Sequence, residues 1–185
     1  MKLILGDIAE MATDAIATSA HSDLCPMPGM SAHIFNMADT AKLLAACKRI
    51  GGCKIGHAVV TTSYGLPCKY IIHVVGAGWY SGHKNEQLLF ARCYRRALEK
   101  AVAYDCRSVA LPLMFSGAYH VPRALALQSV CQVINCFEQR HSELEIILVL
   151  HKKSIYKLAQ KIYQESKNVE TCGDEGSGER FYKNF

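Results

Sequence analysis

The sequence predicts a three-layer α/β/α sandwich built around a central mixed β-sheet. Short apolar runs rich in β-branched residues recur along the chain, and turn-forming residues bound them, which is the pattern of buried strands. Longer segments with apolar residues three or four positions apart are typical of amphipathic helices. Strands come first and are followed by alternating helix and strand, an order that favours a mixed sheet covered by helices on both faces.

Six strands and five helices follow from these patterns. Ser31 is predicted to cap the first helix, and Asp39 or Thr40 the second, because short polar side chains accept hydrogen bonds from the free N–H groups at helix starts. The predicted strands are Lys2–Leu5, Ala15–Ser19, Ala58–Thr62, Tyr70–Val75, Ser108–Leu113 and Glu145–Leu150. The predicted helices are Ala32–Ala38, Ala41–Ile50, Asn85–Asp105, Pro122–Arg140 and Ser154–Glu165.

Length and composition favour one soluble globular domain with a substantial core. The chain has 185 residues, of which 50% are hydrophobic and 20% charged. We predict that residues 1–165 form this domain. The composition of residues 166–185 shifts to glycine, serine and charged residues, so we expect a flexible linker that leads toward a further module. No apolar run approaches the ~20 residues needed to span a bilayer, and we expect no membrane partner.

The net charge and the cysteine content narrow the expected partners and the expected cellular compartment of the protein. The net charge is +5, and lysine and arginine are spread along the chain, so we see no basic face and do not expect a nucleic-acid partner. The nine cysteines form no C-x-x-C pair and lie mostly in apolar segments. They are typical of reduced, buried side chains, and we expect a cytoplasmic protein. The sequence does not predict an oligomeric state.

The segment around Ser116 is the strongest candidate for a binding site. A buried strand ends there, a small-residue loop follows, and Pro122 suits the first turn of a helix. Backbone N–H groups in such a loop can bind a phosphate, Gly117 allows close approach, and Tyr119 offers a flat face to a sugar or base. An ordinary strand-to-helix loop would have the same residues, and the loop alone does not decide between these interpretations.

Other candidate residues also follow predicted strands. Asp7, His21 and Gly76 share this property with Ser116. Because ligands gather at the carboxyl ends of strands in such sheets, we expect these four residues to surround one cleft.

Several ordered motifs resemble the macrodomain family. Gly6-Asp7-Ile8 is similar to the GDI at the family's start. The stretch from Gly56 to Gly76 resembles its G-x-A-x-x-T-x-x-x-x-L-P-x-x-Y-x-I-H-x-V-G pattern. Leu111-Pro112 and Ser116-Gly117-Ala118-Tyr119 are similar to its phosphate loop, S-T-G-x-[YF]-G-x-P. The resemblance covers most of residues 1–165 in the right order, which makes it far more specific than one glycine loop.

The resemblance implies the macrodomain fold and an ADP-ribose site. Asp7 would accept a hydrogen bond from the adenine amino group with Ile8 beside it, and the Ser116–Gly117–Ala118 backbone would donate to the diphosphate. Tyr119 would lie against the distal ribose. The same comparison assigns ligand contacts to Thr18, Gly29 and Met30. It implies no cofactor, and we predict no bound metal.

The first loop departs from the family. The family's N-A-A-N stands here as Thr18–His21, so the asparagine that orients the distal ribose in hydrolytic members is replaced by His21. The family's G-G-G-V-[DN] stands as Pro26–Ser31, in which only Gly29 keeps a glycine's freedom. Proline donates no N–H group, so this loop offers fewer donors to a phosphate.

The remaining side chains leave alternatives open. His21 could act as a general base, with Ser31 positioning water, or it could fill the distal ribose site as a polar plug. His21, Cys25 and His33 could form a zinc site with one open position, or His33 could simply pack on its helix. His73 is predicted to be a structural histidine of its strand.

We therefore predict a protein that recognises free or protein-linked ADP-ribose and has weak or no hydrolase activity. The alternative is a hydrolase of ADP-ribosylated protein or O-acetyl-ADP-ribose that uses His21 and Ser31. A second alternative is a divergent member that binds another nucleotide, RNA or a protein.

Overall fold

A computed structural model describes residues 1–80, 84–117 and 119–168. These residues form six strands and five α-helices. The strands are β1 (Lys2–Leu5), β2 (Ala15–Ala20), β3 (Ala58–Thr62), β4 (Tyr70–Val75), β5 (Ser108–Pro112) and β6 (Glu145–Leu150). The helices are α1 (Met30–Met37), α2 (Thr40–Ile50), α3 (Lys84–Ala103), α4 (Arg123–Glu138) and α5 (Lys153–Asn168), and a 3-10 turn covers Ile8–Glu10.

All six strands belong to one mixed sheet. Their order is β1-β6-β5-β2-β4-β3. The first five strands in this order run parallel, and β3 pairs antiparallel with β4 at the edge. The carboxyl ends of β1, β2, β4, β5 and β6 therefore meet at one edge, and β3 begins there because it runs in the opposite direction.

Helices cover both faces of the sheet, as predicted. One core cluster packs α3, α4 and α5 against the sheet through residues such as Leu98, Val130 and Leu148. The other packs α1, α2 and the 3-10 turn on the opposite face through Phe35 and Leu43. The predicted three-layer α/β/α sandwich is confirmed.

The start of α1 differs from the prediction. The helix begins at Met30, one residue before the predicted cap, and Gly29 is the N-cap with φ +97° and no side-chain cap bond. Ser31 is the second residue of the helix and only 4% exposed, so it does not occupy the cap position. The second helix follows the prediction, because the Asp39 side chain accepts from the N–H of Lys42.

The C-terminal helix is longer than predicted. It continues to Asn168, three residues into the segment assigned to a linker. The rest of that segment, residues 169–185, lies outside the described residues, so the linker stays a prediction. Within the described ranges, no helix combines the length and the apolar character needed to cross a bilayer.

Candidate functional site

Four predicted site residues follow strands whose carboxyl ends share one edge of the sheet. Asp7, His21, Gly76 and Ser116 come directly after, or within four residues of, the ends of β1, β2, β4 and β5. These strands are parallel, so their loops emerge on the same side. This edge is where ligands bind in α/β sheets.

The loop after β5 begins with a buried aromatic residue. Phe115 is 4% exposed and has φ +63°, a left-handed conformation that is uncommon for a bulky residue. Its ring packs directly on Gly76, where a Cβ atom would lie 2.4 Å from the ring. Gly76 is therefore needed for this contact, which holds together the loops after β4 and β5.

The next residues of this loop offer backbone donors. Ser116 Oγ donates to the carbonyl of Leu113 at 3.1 Å. The N–H groups of Ser116 and Gly117 make no hydrogen bond with any other described residue. A Cβ at Gly117 would meet no atom within 4 Å, so the space beside this backbone is open. Ala118, the third predicted phosphate contact, lies outside the described residues.

A buried tyrosine fixes the start of the same loop. Tyr94 of α3 has no exposed surface, and its hydroxyl donates to the carbonyl of Pro112 at 2.9 Å. The same oxygen accepts from the N–H of Met114 at 2.7 Å. Burial raises the pKa of Tyr94 far above its usual range, so the group stays a neutral donor and acceptor. Tyr94 thus determines where the chain leaves β5.

Tyr119 links the loops after β2 and β5. Its hydroxyl donates to the carbonyl of Ala20 at 3.2 Å and lies 3.5 Å from Sδ of Met27. Its ring meets Phe115 edge-on at 5.1 Å, and its carbonyl accepts from the N–H of Trp79 at 2.9 Å. Burial raises the pKa of Tyr119. The side chain predicted to lie against the distal ribose therefore contacts the first loop directly.

The carboxylate of Asp7 is engaged within the protein. Oδ1 caps the 3-10 turn by accepting from the N–H of Ala9 at 2.9 Å. Oδ2 lies 2.6 Å from Nε2 of His33, which belongs to α1. Ile8 is buried in the core beneath the turn. The roles of Asp7 and Ile8 at an adenine stay predictions, and His33 is a neighbour that the sequence did not assign to Asp7.

His21 lies in a polar turn at the end of β2. Its Nδ1 is 2.8 Å from Oδ1 of Asp23, and both side chains are about half exposed. The N–H of Cys25, followed by His21, lowers the pKa of Asp23. Because the carboxylate engages Nδ1, the arrangement favours the tautomer in which Nε2 can accept a proton. Asp23 was not predicted, although the spacing His-x-Asp in a turn was a usable signal.

Two predicted site residues, Thr18 and Ser31, are buried. Thr18 is completely buried in β2, and its hydroxyl contacts the carbonyl of Ser19 at 3.3 Å. Ser31 is also buried, whereas Gly29 is exposed and Met30 is partly exposed in the first loop. Thr18 has no exposed surface, so its side chain offers no contact to a ligand in this conformation.

The possible metal set is not brought together. His33 pairs with Asp7, and His21 pairs with Asp23, while Cys25 is exposed. Across residues 1–80, 84–117 and 119–168, no group of three or more histidine, cysteine or acidic side chains could hold a metal ion.

A small cleft of about 10 Å³, roughly the room for one water molecule, lies between the loop after β4, α3 and the loop after β5. Gly76, Trp79, Cys93 and Phe115 are among the residues that line it. Pockets for drug-sized ligands span ~300–1,000 Å³. This cleft is far smaller in the free protein, so a nucleotide-sized ligand would need the open surface beside Gly117.

A family model described as Macro domain matches residues 18–130. The chain belongs to the macro domain family. A macro domain-containing protein of Methanosarcina mazei is 37% identical over 162 residues, which cover 87% of this chain and 86% of that protein. An O-acetyl-ADP-ribose deacetylase of Klebsiella pneumoniae is 35% identical over 151 residues, covering 80% and 86%.

Solved structures confirm the macrodomain fold. The Oceanobacillus iheyensis macrodomain with ADP superposes with a TM-score of 0.85 at 26% identity, covering 90% of this chain and 90% of that one. The Trypanosoma brucei macrodomain in complex with ADP-ribose gives a TM-score of 0.79 at 25% identity, covering 86% and 67%. The resemblance stated from the motifs is thus confirmed for this macro domain.

Proposed function

We propose that this macro domain binds ADP-ribose, free or attached to protein, at the edge of the sheet where β1, β2, β4 and β5 end. The observation that carries the proposal is the loop after β5. The N–H groups of Ser116 and Gly117 have no hydrogen-bond partner among the described residues, the space beside Gly117 is open, and such groups bind a diphosphate. The structures with ADP and ADP-ribose reported for relatives support this choice of ligand.

Asp7 supports the adenine end of the same ligand. Each carboxylate oxygen has two lone pairs, so Asp7 can accept from an exocyclic amine while Oδ1 still caps the 3-10 turn. The ligand has to share or displace the contact of Oδ2 with His33. An aspartate in this position favours adenine, which carries an amino group, over a base that presents only a carbonyl there.

We propose a reader with weak or absent hydrolase activity as the main role. Hydrolysis needs a water molecule positioned beside the scissile bond and a base that removes its proton. Ser31, which would position that water, is buried, and no asparagine stands at His21. Binding requires neither group, because the loop after β5 and Asp7 supply the contacts.

Titration calorimetry with ADP-ribose tests the binding proposal, with AMP and ATP as control ligands. We expect selective binding in the micromolar range, about −8 kcal/mol. Gly117→Val is the decisive variant, because its side chain has open space in the free protein but would lie where the diphosphate approaches. We expect its melting temperature to stay close to wild type and its ADP-ribose binding to fall at least tenfold. Lys157→Ala, an exposed change on α5, is the matched control.

The results separate the alternatives. Equal affinity of Gly117→Val and the parent protein would show that the ligand does not use this loop. No ADP-ribose binding by a folded parent protein would reject the proposal and leave the divergent member, which binds another nucleotide or a protein, as the alternative to screen.

A second function is supported by the pairing of His21 with Asp23 at 2.8 Å. In an ester hydrolase, Nε2 of His21 would take a proton from water as its oxygen bonds to the acyl carbon. The ester C–O bond then breaks, and the sugar hydroxyl leaves with the proton. A relative named O-acetyl-ADP-ribose deacetylase makes this ester the first substrate to assay.

Mass spectrometry of O-acetyl-ADP-ribose and of ADP-ribosylated protein after incubation measures this activity. If the protein is a reader, we expect no turnover above the rate measured in buffer without protein. Turnover that His21→Ala abolishes, and that Asp23→Asn lowers with a changed pH profile, would establish the hydrolase instead. Turnover unaffected by either variant would exclude His21 as the base.

A further inference from the structure

A row of cations lies on α3, outside the site described above. Arg92, Arg96 and Lys100 are spaced four residues apart, so they follow one ridge of the helix with a rise of about 6 Å per step. Each of the three side chains is partly exposed. Lys54, in the loop before β3, is exposed as well. We call Lys54, Arg92, Arg96 and Lys100 the basic face.

Packing between α3 and the start of β3 brings the basic face together. Nη2 of Arg92 lies 3.3 Å from Nε2 of His57. The Arg92 stem passes over Gly56, where a Cβ atom would lie 3.5 Å from both Cδ and Nε of Arg92. Burial, followed by the charges of the basic face, lowers the pKa of His57. His57 therefore stays neutral and can accept a hydrogen bond from Arg92 without adding charge.

Acidic side chains offset only part of this charge. Glu99 accepts from Nη1 of Arg96 at 2.6 Å and lies 3.3 Å from Nε of Arg95. The Nε atoms of Arg92 and Arg96 are buried and have no hydrogen-bond partner in the described part of the chain. An excess of positive charge thus remains on one side of α3.

An exposed aromatic side chain continues the ridge. Tyr104 is four residues beyond Lys100, is 42% exposed, and meets Tyr70 edge-on at 5.2 Å. The edge contact fixes the ring while part of its surface stays accessible. A basic row that ends in a fixed aromatic ring is the combination that single-stranded nucleic acids use, with phosphates on the cations and a base on the ring.

We propose that the basic face and Tyr104 bind a single-stranded nucleic acid, separately from the ADP-ribose site. A single phosphate would need donors that converge on one point, whereas these cations extend in a line along the helix. Evenly spaced cations fit the repeated charges of a phosphodiester chain. The face was not visible in the sequence, because its members come from two segments that only the fold brings together.

Fluorescence anisotropy with a labelled oligouridylate of about 12 nucleotides, within the usual range of site sizes, tests the proposal. Four neutralised phosphates predict a salt slope of about −2.8, so affinity should fall about 50-fold between ~50 and ~200 mM salt. Lys54→Glu/Lys100→Glu should bind the oligouridylate at least tenfold more weakly. Its affinity should fall only about sevenfold between ~50 and ~200 mM salt, as expected when two phosphate contacts remain. Tyr104→Ala should weaken binding about fivefold or more through lost stacking.

Lys153→Glu/Lys157→Glu on α5 is the matched control, because it makes the same change in net charge at exposed positions. We expect it to bind the oligouridylate within about twofold of the parent protein, and we expect saturating ADP-ribose not to displace the oligonucleotide. Equal weakening in both double variants would show a general charge effect and overturn the proposal. Displacement by ADP-ribose, or no binding at low salt, would also overturn it. The effects of the variants and of salt do not depend on whether ADP-ribose binds at its own site, and only the displacement test does.

Discussion

Replacing Tyr94 with phenylalanine should lower both the stability of the protein and its affinity for ADP-ribose. The substitution keeps the buried ring and removes only the hydroxyl, which holds the carbonyl of Pro112 and the N–H of Met114. Two buried hydrogen bonds contribute about 1 kcal/mol each, and the Met114 N–H keeps its own contact with the Pro112 carbonyl at 2.9 Å. We therefore expect a loss of about 2 kcal/mol in the free energy of unfolding.

Urea denaturation measures the change in the free energy of unfolding of Tyr94→Phe. Titration calorimetry on separate aliquots of the same preparation measures its Kd for ADP-ribose. Met114 leads directly into the loop of Ser116 and Gly117, so a less restrained start of the loop should raise the Kd for ADP-ribose about fivefold, or about 1 kcal/mol. Tyr156→Phe on α5 is the matched control, because it removes the same hydroxyl from a half-buried tyrosine outside this loop. It should alter the free energy of unfolding by less than about 0.5 kcal/mol.

Two results would refute this reasoning in different ways. An unchanged unfolding midpoint would mean that the hydroxyl contacts contribute nothing net to the folded state. Lower stability with unchanged ADP-ribose affinity would mean that Tyr94 supports the core but does not position the loop.

Three further substitutions test the buried His73, the partly exposed Asp14 and the contact between the loops. Burial lowers the pKa of His73 to about 4, so the folded protein favours the neutral imidazole. This contribution to the free energy of unfolding is fully present above about pH 6.5 and falls by up to about 3 kcal/mol as the pH drops to 4. Denaturation of His73→Gln over this range should show a shallower pH dependence. The pKa of Asp14 is lowered first by Lys69, so Asp14→Asn should cost about 2 kcal/mol at pH 7, and the difference from the parent should vanish as acid protonates the native carboxylate. Gly76→Ala places a methyl group against Phe115 and should cost at least about 2 kcal/mol by thermal melting, a loss that Phe115→Leu in the same chain should partly restore.

Local patterns were sufficient for most of the fold. The β-branched runs at Ala58–Thr62 and Tyr70–Val75 are bounded by turn residues on both sides, so their strand limits were predicted to the residue. The start of α1 was not, because the choice between Gly29 and Ser31 as cap depends on the path of the preceding loop. Ser31 lies within the first turn of the helix and is buried, and no local preference encodes that burial.

The candidate site was predictable where one motif supplies all its atoms. The loop of Ser116 and Gly117 is such a case. The contact of Asp7 with His33 is not, because the two residues are 26 positions apart and meet only when α1 packs beside the 3-10 turn. The four-residue spacing of Arg92, Arg96 and Lys100 was visible in the sequence. Lys54 could not be assigned to the same surface, because only the packing of α3 against β3 brings it close to these residues.

The free protein already satisfies two groups that an ADP-ribose molecule would use. His33 holds one oxygen of Asp7 at 2.6 Å, and Tyr119 spans from Ala20 to Met27 across the edge of the sheet. Where an ADP-ribose molecule displaces these contacts, its measured affinity equals its intrinsic affinity multiplied by the fraction of molecules with the contacts open. An open fraction of ~10% would cost tenfold in Kd, or about 1.4 kcal/mol. We therefore expect the divergent first loop to affect ADP-ribose binding through the contact of Met27 with Tyr119, as well as through the phosphate donors that its prolines lack.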